Sequence, residues 1–219
     1  MKTNDVNPPN DQGGEKVIGV AYPKITHHGR RILTIFQDEP DRRREDAGGN
    51  KHVVERPLVG AEIGVWRGRN SATLLARAPS LVLYMVDYWG DQAAPDNGQS
   101  IQKGEDVCKE AMNETSFAAG RRRVVKEASP GAASRFKDGG LDFVFIDGDH
   151  YYEPCLADLR AWWPKVKRGG WLMGHDIDNP GWPEWGVREA VEEFCLGEAV
   201  RFVCYPEPEF VFAIRKPLL

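Results

Sequence analysis

The chain has 219 residues, of which 41% are hydrophobic and 28% charged, and this suits one globular α/β domain with a short extension. A formal net charge of -4 argues against a broad nucleic-acid-binding surface, because such surfaces are normally basic. No apolar run reaches the roughly 18–20 residues needed to span a membrane, and the four cysteines form no CxxC or Cys/His zinc pattern. We therefore expect a soluble cytoplasmic protein with reduced thiols and no nucleic-acid or membrane partner.

The first 56 residues divide into two parts. Residues 1–16 are polar and contain Asn, Pro and Gly runs, which predicts a flexible tail. Residues 17–56 form an N-terminal extension with apolar runs at 17–22 and 32–36, which fit either two strands or a strand and a short helix. The highly charged stretch 37–51 predicts a linker or mobile loop. This extension would serve as a cap over a substrate pocket or as a homodimer contact.

Residues 57–219 show a regular alternation of strands and helices. The apolar runs predict strands at 59–65, 81–86, 123–125, 141–146, 171–173, 201–205 and 210–215, and helices at 70–78, 105–117, 154–166 and 185–194. Pro164 should loosen the third helix and Gly169-Gly170 should end it. The order predicts a doubly wound α/β fold, with a mostly parallel seven-stranded Rossmann-like sheet and a closing antiparallel hairpin.

In such sheets, ligands bind beyond the carboxyl ends of the strands, so functional side chains should collect there. Polar residues and glycines do follow the predicted strands: Glu62, Gly64, Asp87, Ser129, Asp147, Asp149, His175 and Asp176.

The first strand-to-helix turn has the features of a nucleotide-cofactor site. Gly64 and Gly68 allow close backbone approach to a ligand, and the helix that begins near Ser71 offers free N–H groups. Asp87 ends the second strand, where an acid can bind both ribose hydroxyls. A nicotinamide dinucleotide would call for GxGxxG, whereas this turn has Gly64-x-x-x-Gly68.

The pattern Glu62-x-Gly64-x-x-x-Gly68 resembles the first motif of class I S-adenosylmethionine (SAM)-dependent methyltransferases. The resemblance implies that this loop, with Ser71, faces the methionine part of SAM, and that Asp87 holds the ribose. It also implies adenine contacts from Ala128 and Ser129 after the third strand.

The most specific part of the chain is Asp147-Gly-Asp149-His150 after the fourth strand, together with His175-Asp176 after the fifth. It resembles the macrocin-type sugar O-methyltransferases, over roughly residues 58–215. The resemblance implies Asp147 and Asp176 as ligands of a divalent metal, with Asp147 also bordering the cofactor, and Asp149 as the general base. His150, next to Asp149 in the motif, is the second residue that we assign to catalysis. His175 stands where that family has an acid. We expect Mg or Mn held by Asp147, His175 and Asp176. Imidazole suits Mn²⁺, Fe²⁺ or Zn²⁺ better than Mg²⁺, so His175 makes the identity of the metal an open question.

The acceptor implied by this resemblance is a hydroxyl group of a small molecule, either a sugar or a glycosylated natural product. Trp182 and Trp185 follow the fifth predicted strand and could form an aromatic wall for the acceptor. Three alternatives stay open. The first is a metal-independent methyltransferase with Asp149 or His150 as direct base. The second is a SAM-binding partner subunit without turnover, and the third is a nicotinamide oxidoreductase.

Overall fold

The computed structural model describes residues 26–37, 43–45, 51–53, 57–93 and 101–219. The predicted tail, residues 1–16, and the apolar run 17–22 lie outside the described residues. The helices of the described part are α1 (His27–Gln37), α2 (Arg69–Arg77), α3 (Gly104–Glu114), α4 (Tyr152–Trp162) and α5 (Val187–Gly197). The strands are β1 (Arg43–Glu45), β2 (Lys51–Val53), β3 (Leu58–Ile63), β4 (Leu81–Asp87), β5 (Gln92–Ala93), β6 (Ile101–Gln102), β7 (Arg122–Lys126), β8 (Leu141–Ile146), β9 (Val166–Gly174), β10 (Phe202–Tyr205) and β11 (Val211–Arg215).

Seven of these strands form one sheet in the order β10-β11-β9-β8-β3-β4-β7. The five strands from β9 to β7 in that order pair in parallel, whereas β11 runs antiparallel to both β9 and β10. The predicted fold class is therefore confirmed, including the closing hairpin. The parallel strands end at one edge of the sheet, which we call the carboxyl edge.

Strand β8 shows how the sheet is buried. All six of its residues are buried, because helices cover the sheet on both sides. Phe143 and Phe145 belong to one apolar cluster with Leu74 of α2, whereas Val144 and Ile146 belong to the other cluster with residues of α4. The alternation follows the two-residue repeat of a strand and places the core on both faces.

Helix α1 is packed against the domain although it belongs to the N-terminal extension. Ile32 is fully buried and joins the apolar cluster that contains the α2 leucines. At the start of α1, Thr26 Oγ1 lies 3.0 Å from Asn70 Oδ1 and donates to it. Arg31 forms an ion pair of 3.1 Å with Glu209, beside the C-terminal hairpin. The role of the extension as a cap or dimer contact remains a prediction.

Three local expectations differ from the structure. Gly169-Gly170 does not end a helix, because α4 ends at Trp162 and a 3-10 turn over Trp163–Lys165 follows. Pro164 has no N–H group to continue the helix, so the chain enters β9 earlier than expected. Gly169, with a φ of +74°, lies inside β9, next to a register shift against β8. The predicted loop 37–51 contains β1 and the first residue of β2, its antiparallel partner, and a second short pair, β5 and β6, follows β4.

The four cysteines, Cys108, Cys155, Cys195 and Cys204, are all free thiols. Among the helices that the structure describes, none combines the length and the apolar character that crossing a bilayer requires.

Candidate active site

The carboxyl ends of β8 and β9 bring the predicted reaction-centre residues together. The two strands pair up to Ile146 and Gly174, so that Asp147 and His175 follow them side by side. The His175 N–H donates to Ile146 O at 3.1 Å, and the Asp147 N–H donates to Ile63 O at 2.7 Å. Strand spacing of about 4.8 Å then sets the separation of the side chains that follow.

Four side chains converge beyond this edge, and we call them the Asp/His cluster: Asp147, His150, His175 and Asp176. One donor atom from each lies within 4.8 Å of the donor atoms of the others. His150 Nε2 lies 3.0 Å from Asp176 Oδ2 and 3.6 Å from Asp147 Oδ1. His175 Nδ1 lies 2.9 Å and 3.5 Å from the same two oxygens. The three predicted metal ligands are thus adjacent, and His150, which the sequence assigned to catalysis, lies among them.

The cluster is strongly coupled electrostatically. Burial opposes protonation of His150, but the carboxylates of Asp147 and Asp176 outweigh this effect and raise its pKa to about 9. The same balance raises the pKa of His175 to about 10. Burial also opposes ionisation of Asp176, yet the two imidazoles and the Asn179 amide, which donates at 2.6 Å, hold its pKa well below the usual range. The two carboxylates therefore attract two compensating positive charges.

A divalent cation would supply the same charge as two imidazole protons, and the cluster has enough ligand atoms to hold such a cation. Two carboxylate oxygens and two imidazole nitrogens form a mixed O/N set that suits a divalent ion. The Nε2 atom of His150 is fully buried and lies 3.0 Å from Asp176 Oδ2, but the two are not aligned as in a regular hydrogen bond. A buried nitrogen without a regular hydrogen bond is costly in a finished structure, which fits a site that is completed by a ligand.

Asp149, the predicted base, lies outside the Asp/His cluster. Its side chain is exposed, and Oδ1 accepts a hydrogen bond of 3.0 Å from the Tyr151 N–H at the start of α4. The carboxylate is therefore held in the exposed loop between β8 and α4, two residues after Asp147. Its role as base remains a prediction.

An aromatic stack extends from the cluster towards solvent. The His150 ring stacks on Trp185 with a centroid distance of 4.3 Å and an interplanar angle of 15°. Trp185 in turn stacks on Trp182 at 5.0 Å and 8°. Trp182 is exposed, so the sequence-predicted aromatic wall begins at a cluster residue and ends at the surface.

The predicted cofactor loop contacts the cluster directly. Gly64, with a φ of +85°, lies so close to the β8 end that an added Cβ would lie 2.1 Å from Asp147 O. Gly68, with a φ of +77°, precedes α2 and packs against Ala111 of α3. Both glycines are thus required by close packing, in a left-handed conformation that side chains rarely adopt.

Two acids hold this loop from inside. Glu62 is buried, and its carboxyl group contacts the Asn70 amide at 2.9 Å and the Ser71 hydroxyl. Burial raises the pKa of Glu62 to about 8, although its hydrogen bonds to Ser71 and Asn70 act in the opposite direction. Asp87 Oδ2 accepts from the N–H groups of Val65 and Trp66 at 2.9 Å and 2.8 Å. Their proposed contacts with SAM remain predictions.

The predicted adenine contacts lie after β7. Ala128 is exposed, and the Ser129 hydroxyl donates to Asp158 of α4 and accepts from Trp162 Nε1 at 2.9 Å. Burial raises the pKa of Asp158 to about 6. The sequence analysis missed the contact between Ser129 and Asp158, and it missed that His150 is the fourth member of the Asp/His cluster. For His150, the spacing of three residues from Asp147 was the available signal.

The chain is similar in sequence or fold to several known proteins. A family model described as a methyltransferase domain matches residues 61–177, more than half of the chain. A stretch of 43 residues is 37% identical to an uncharacterised protein of Acanthamoeba polyphaga mimivirus, and it covers 20% of each chain. This chain therefore matches only about a fifth of the length of that relative.

Among solved structures, a protein from Corynebacterium glutamicum has a TM-score of 0.55 at 16% identity, with 87% of this chain and 88% of that chain covered. A precorrin-6y C5,15-methyltransferase from Geobacter metallireducens has a TM-score of 0.52 at 16% identity, with coverages of 73% and 80%. An O-methyltransferase family protein from Burkholderia thailandensis has a TM-score of 0.53 at 13% identity, with coverages of 86% and 56%. These likenesses show the shared fold, while the family model carries the assignment: the chain belongs to the methyltransferase-domain family.

Proposed function

We propose that this protein is a SAM-dependent O-methyltransferase that transfers a methyl group to a hydroxyl of a small acceptor, a sugar or a glycosylated natural product, with the help of a divalent metal. The observation that carries the proposal is the position of the Asp/His cluster against the cofactor loop. Asp147 is both a member of the cluster and the residue whose carbonyl oxygen packs on Gly64. The residues that would hold a metal ion therefore adjoin the loop that would hold SAM, at one point of the carboxyl edge.

Asp147, His175 and Asp176 would hold the ion. When bound, a divalent ion supplies Lewis acidity that lowers the pKa of an acceptor hydroxyl and orients it. Asp149, in the exposed loop after β8, takes the hydroxyl proton as the methyl group transfers. Asp87 and Glu62 hold the cofactor loop in place, so that most of the rate enhancement comes from the positioning of two reactants.

The acceptor class is supported by the Trp182–Trp185 stack beside the cluster. Trp185 stacks on both His150 and Trp182, so the flat face that can bind the apolar face of a sugar or ring is that of the exposed Trp182. Polar groups at the rim would fix the orientation of the acceptor. The Burkholderia thailandensis neighbour is named as an O-methyltransferase family protein, which agrees with transfer to oxygen.

The test is a methyl-transfer assay with SAM and a panel of hydroxylated sugars and glycosides, read as S-adenosylhomocysteine release and as methylated product by mass spectrometry. We expect turnover of at least one glycoside in the presence of Mn²⁺ or Mg²⁺. Loss of that turnover in EDTA, with SAM binding retained in calorimetry, supports the metal-dependent form. Full activity in EDTA would contradict it.

Asp149→Asn separates chemistry from binding. We expect this variant to keep SAM affinity and to lose turnover by at least the roughly 100-fold that general bases contribute. Glu153→Gln, a neutralised exposed acid on the first turn of α4, is the matched control and should behave like the wild type. Unchanged turnover of Asp149→Asn would remove Asp149 as the base.

A further inference from the structure

The Asp/His cluster contains one donor more than the three ligands considered above. His150 reaches it from the loop after β8, whereas His175 and Asp176 follow β9. The two imidazole nitrogens approach the same pair of oxygens, Asp147 Oδ1 and Asp176 Oδ2, at separations between 2.9 and 3.6 Å.

These separations match those between neighbouring ligands of one small cation. With metal–ligand bonds of about 2.1 Å, adjacent ligands are roughly 3.0 Å apart in octahedral geometry and roughly 3.4 Å apart in tetrahedral geometry. The four nitrogen–oxygen separations are therefore already those of neighbouring ligands, and one ligand atom from each side chain lies within 4.8 Å of the others. His150 Nε2 lies 3.0 Å from Asp176 Oδ2 but is not aligned with it as in a regular hydrogen bond, as expected for a nitrogen that faces the position of a shared ion.

The orientation of the His150 ring is held from outside the cluster. Trp185 covers one face of the ring at 4.3 Å, and Trp182 supports Trp185 from behind. The backbone is fixed as well, since the Gly186 N–H donates to His150 O at 3.1 Å. A ligand that is pre-oriented by packing loses little entropy when it binds a metal.

We propose that His150 is a fourth protein ligand, and that the resulting site of two carboxylates and two imidazoles binds a first-row transition-metal dication, such as Mn²⁺ or Zn²⁺, in preference to Mg²⁺. Mg²⁺ prefers an all-oxygen shell and keeps several waters, whereas imidazole nitrogen favours the transition metals. This inference rests on the metal site of the proposed function but not on methyl transfer. It also takes His150 away from the role of base, which Asp149 then carries.

The experiment measures metal binding by the full chain without SAM or acceptor. Protein stripped with EDTA and dialysed is titrated calorimetrically with Mn²⁺, Zn²⁺ and Mg²⁺ in separate runs. We expect Mn²⁺ and Zn²⁺ to bind at least about tenfold more tightly than Mg²⁺, in keeping with the affinity order for nitrogen-containing sites. Equal or tighter binding of Mg²⁺ would overturn the metal preference.

The second arm tests His150 itself. His150→Ala should weaken Mn²⁺ binding by at least the roughly 10–100-fold that even outer-shell partners are worth. Pulsed electron paramagnetic resonance of the Mn²⁺ complex should show coupling to two imidazole nitrogens in the wild type and to one in the variant. His27→Ala, an exposed histidine of α1, is the control and should leave both readouts unchanged.

A variant that loses its fold would also lose metal, so circular dichroism accompanies each titration, and His150→Gln provides a second, more conservative replacement. A folded variant with wild-type Mn²⁺ affinity, or a wild-type spectrum with one nitrogen coupling, would refute His150 as a ligand. Failure of the proposed function has a different signature, since hydroxyl methylation would be absent while Mn²⁺ still binds with two nitrogen couplings.

Discussion

Replacement of Glu62 by glutamine tests the idea that this buried acid is neutral in the folded protein. Glu62 is 1% exposed, and burial raises its pKa from 4.5 to about 8. Glu62→Gln keeps the shape of the protonated side chain. Its amide oxygen can accept from Asn70, and its NH₂ group can donate to the Ser71 hydroxyl.

The sign of the effect follows from the direction of the shift. An acid with a raised pKa in the folded state is protonated in both states below pH 4.5, and it destabilises the fold as pH rises through the window up to about 8. At about 1.4 kcal/mol per pH unit, the whole window corresponds to roughly 5 kcal/mol. The Glu62→Gln variant carries no such penalty, so its stability relative to the wild type should increase by a few kcal/mol between pH 5 and pH 9.

The assay is urea unfolding followed by tryptophan fluorescence at pH 5, 7 and 9. Glu114→Gln, which neutralises an exposed acid at the end of α3, should show no comparable pH dependence. A stability difference between Glu62→Gln and the wild type that stays constant with pH would refute a neutral buried Glu62. A stability advantage of Glu62→Gln that decreases as pH rises would mean that the pKa of Glu62 is lowered in the folded state.

Three further substitutions probe other parts of the structure. Gly64→Ala adds a Cβ at a φ of +85° against a backbone oxygen, so the free energy of unfolding should fall by roughly 2–3 kcal/mol and SAM binding should be lost. The control is Gly120→Ala, which faces open space and should change the free energy of unfolding by less than about 1 kcal/mol. Asp158→Asn removes a carboxyl whose pKa is raised from 3.8 to about 6. The stability of the variant relative to the wild type should therefore increase by up to about 3 kcal/mol as pH rises through that window. Equal pH profiles of the two proteins in urea unfolding would contradict this. Ile32→Ala truncates a fully buried side chain of α1, and a loss of about 2–5 kcal/mol is expected if α1 is part of the core, whereas an unchanged melting temperature would show that it is not.

The fold class was readable from the sequence because strand and helix repeats are local. Apolar runs such as 141–146 match β8 residue for residue, and the alternation with helices left few possible topologies. The boundaries near Pro164 and Gly169 were less predictable. Whether a Gly-Gly pair ends a helix or lies within a strand depends on pairing with a neighbouring strand. That strand comes from another part of the chain, so the local sequence does not reveal the pairing.

The candidate site divides in the same way. By itself, the sequence determined that Asp147, His175 and Asp176 would meet, because residues that follow adjacent parallel strands must share one edge of the sheet. Only the tertiary structure decided where His150 belongs. Its ring is aimed by stacking on Trp185, a residue 35 positions further along the chain, and by a backbone bond from Gly186. Such contacts depend on how a loop returns over the sheet edge, and this path is set by packing between distant segments rather than by any local repeat.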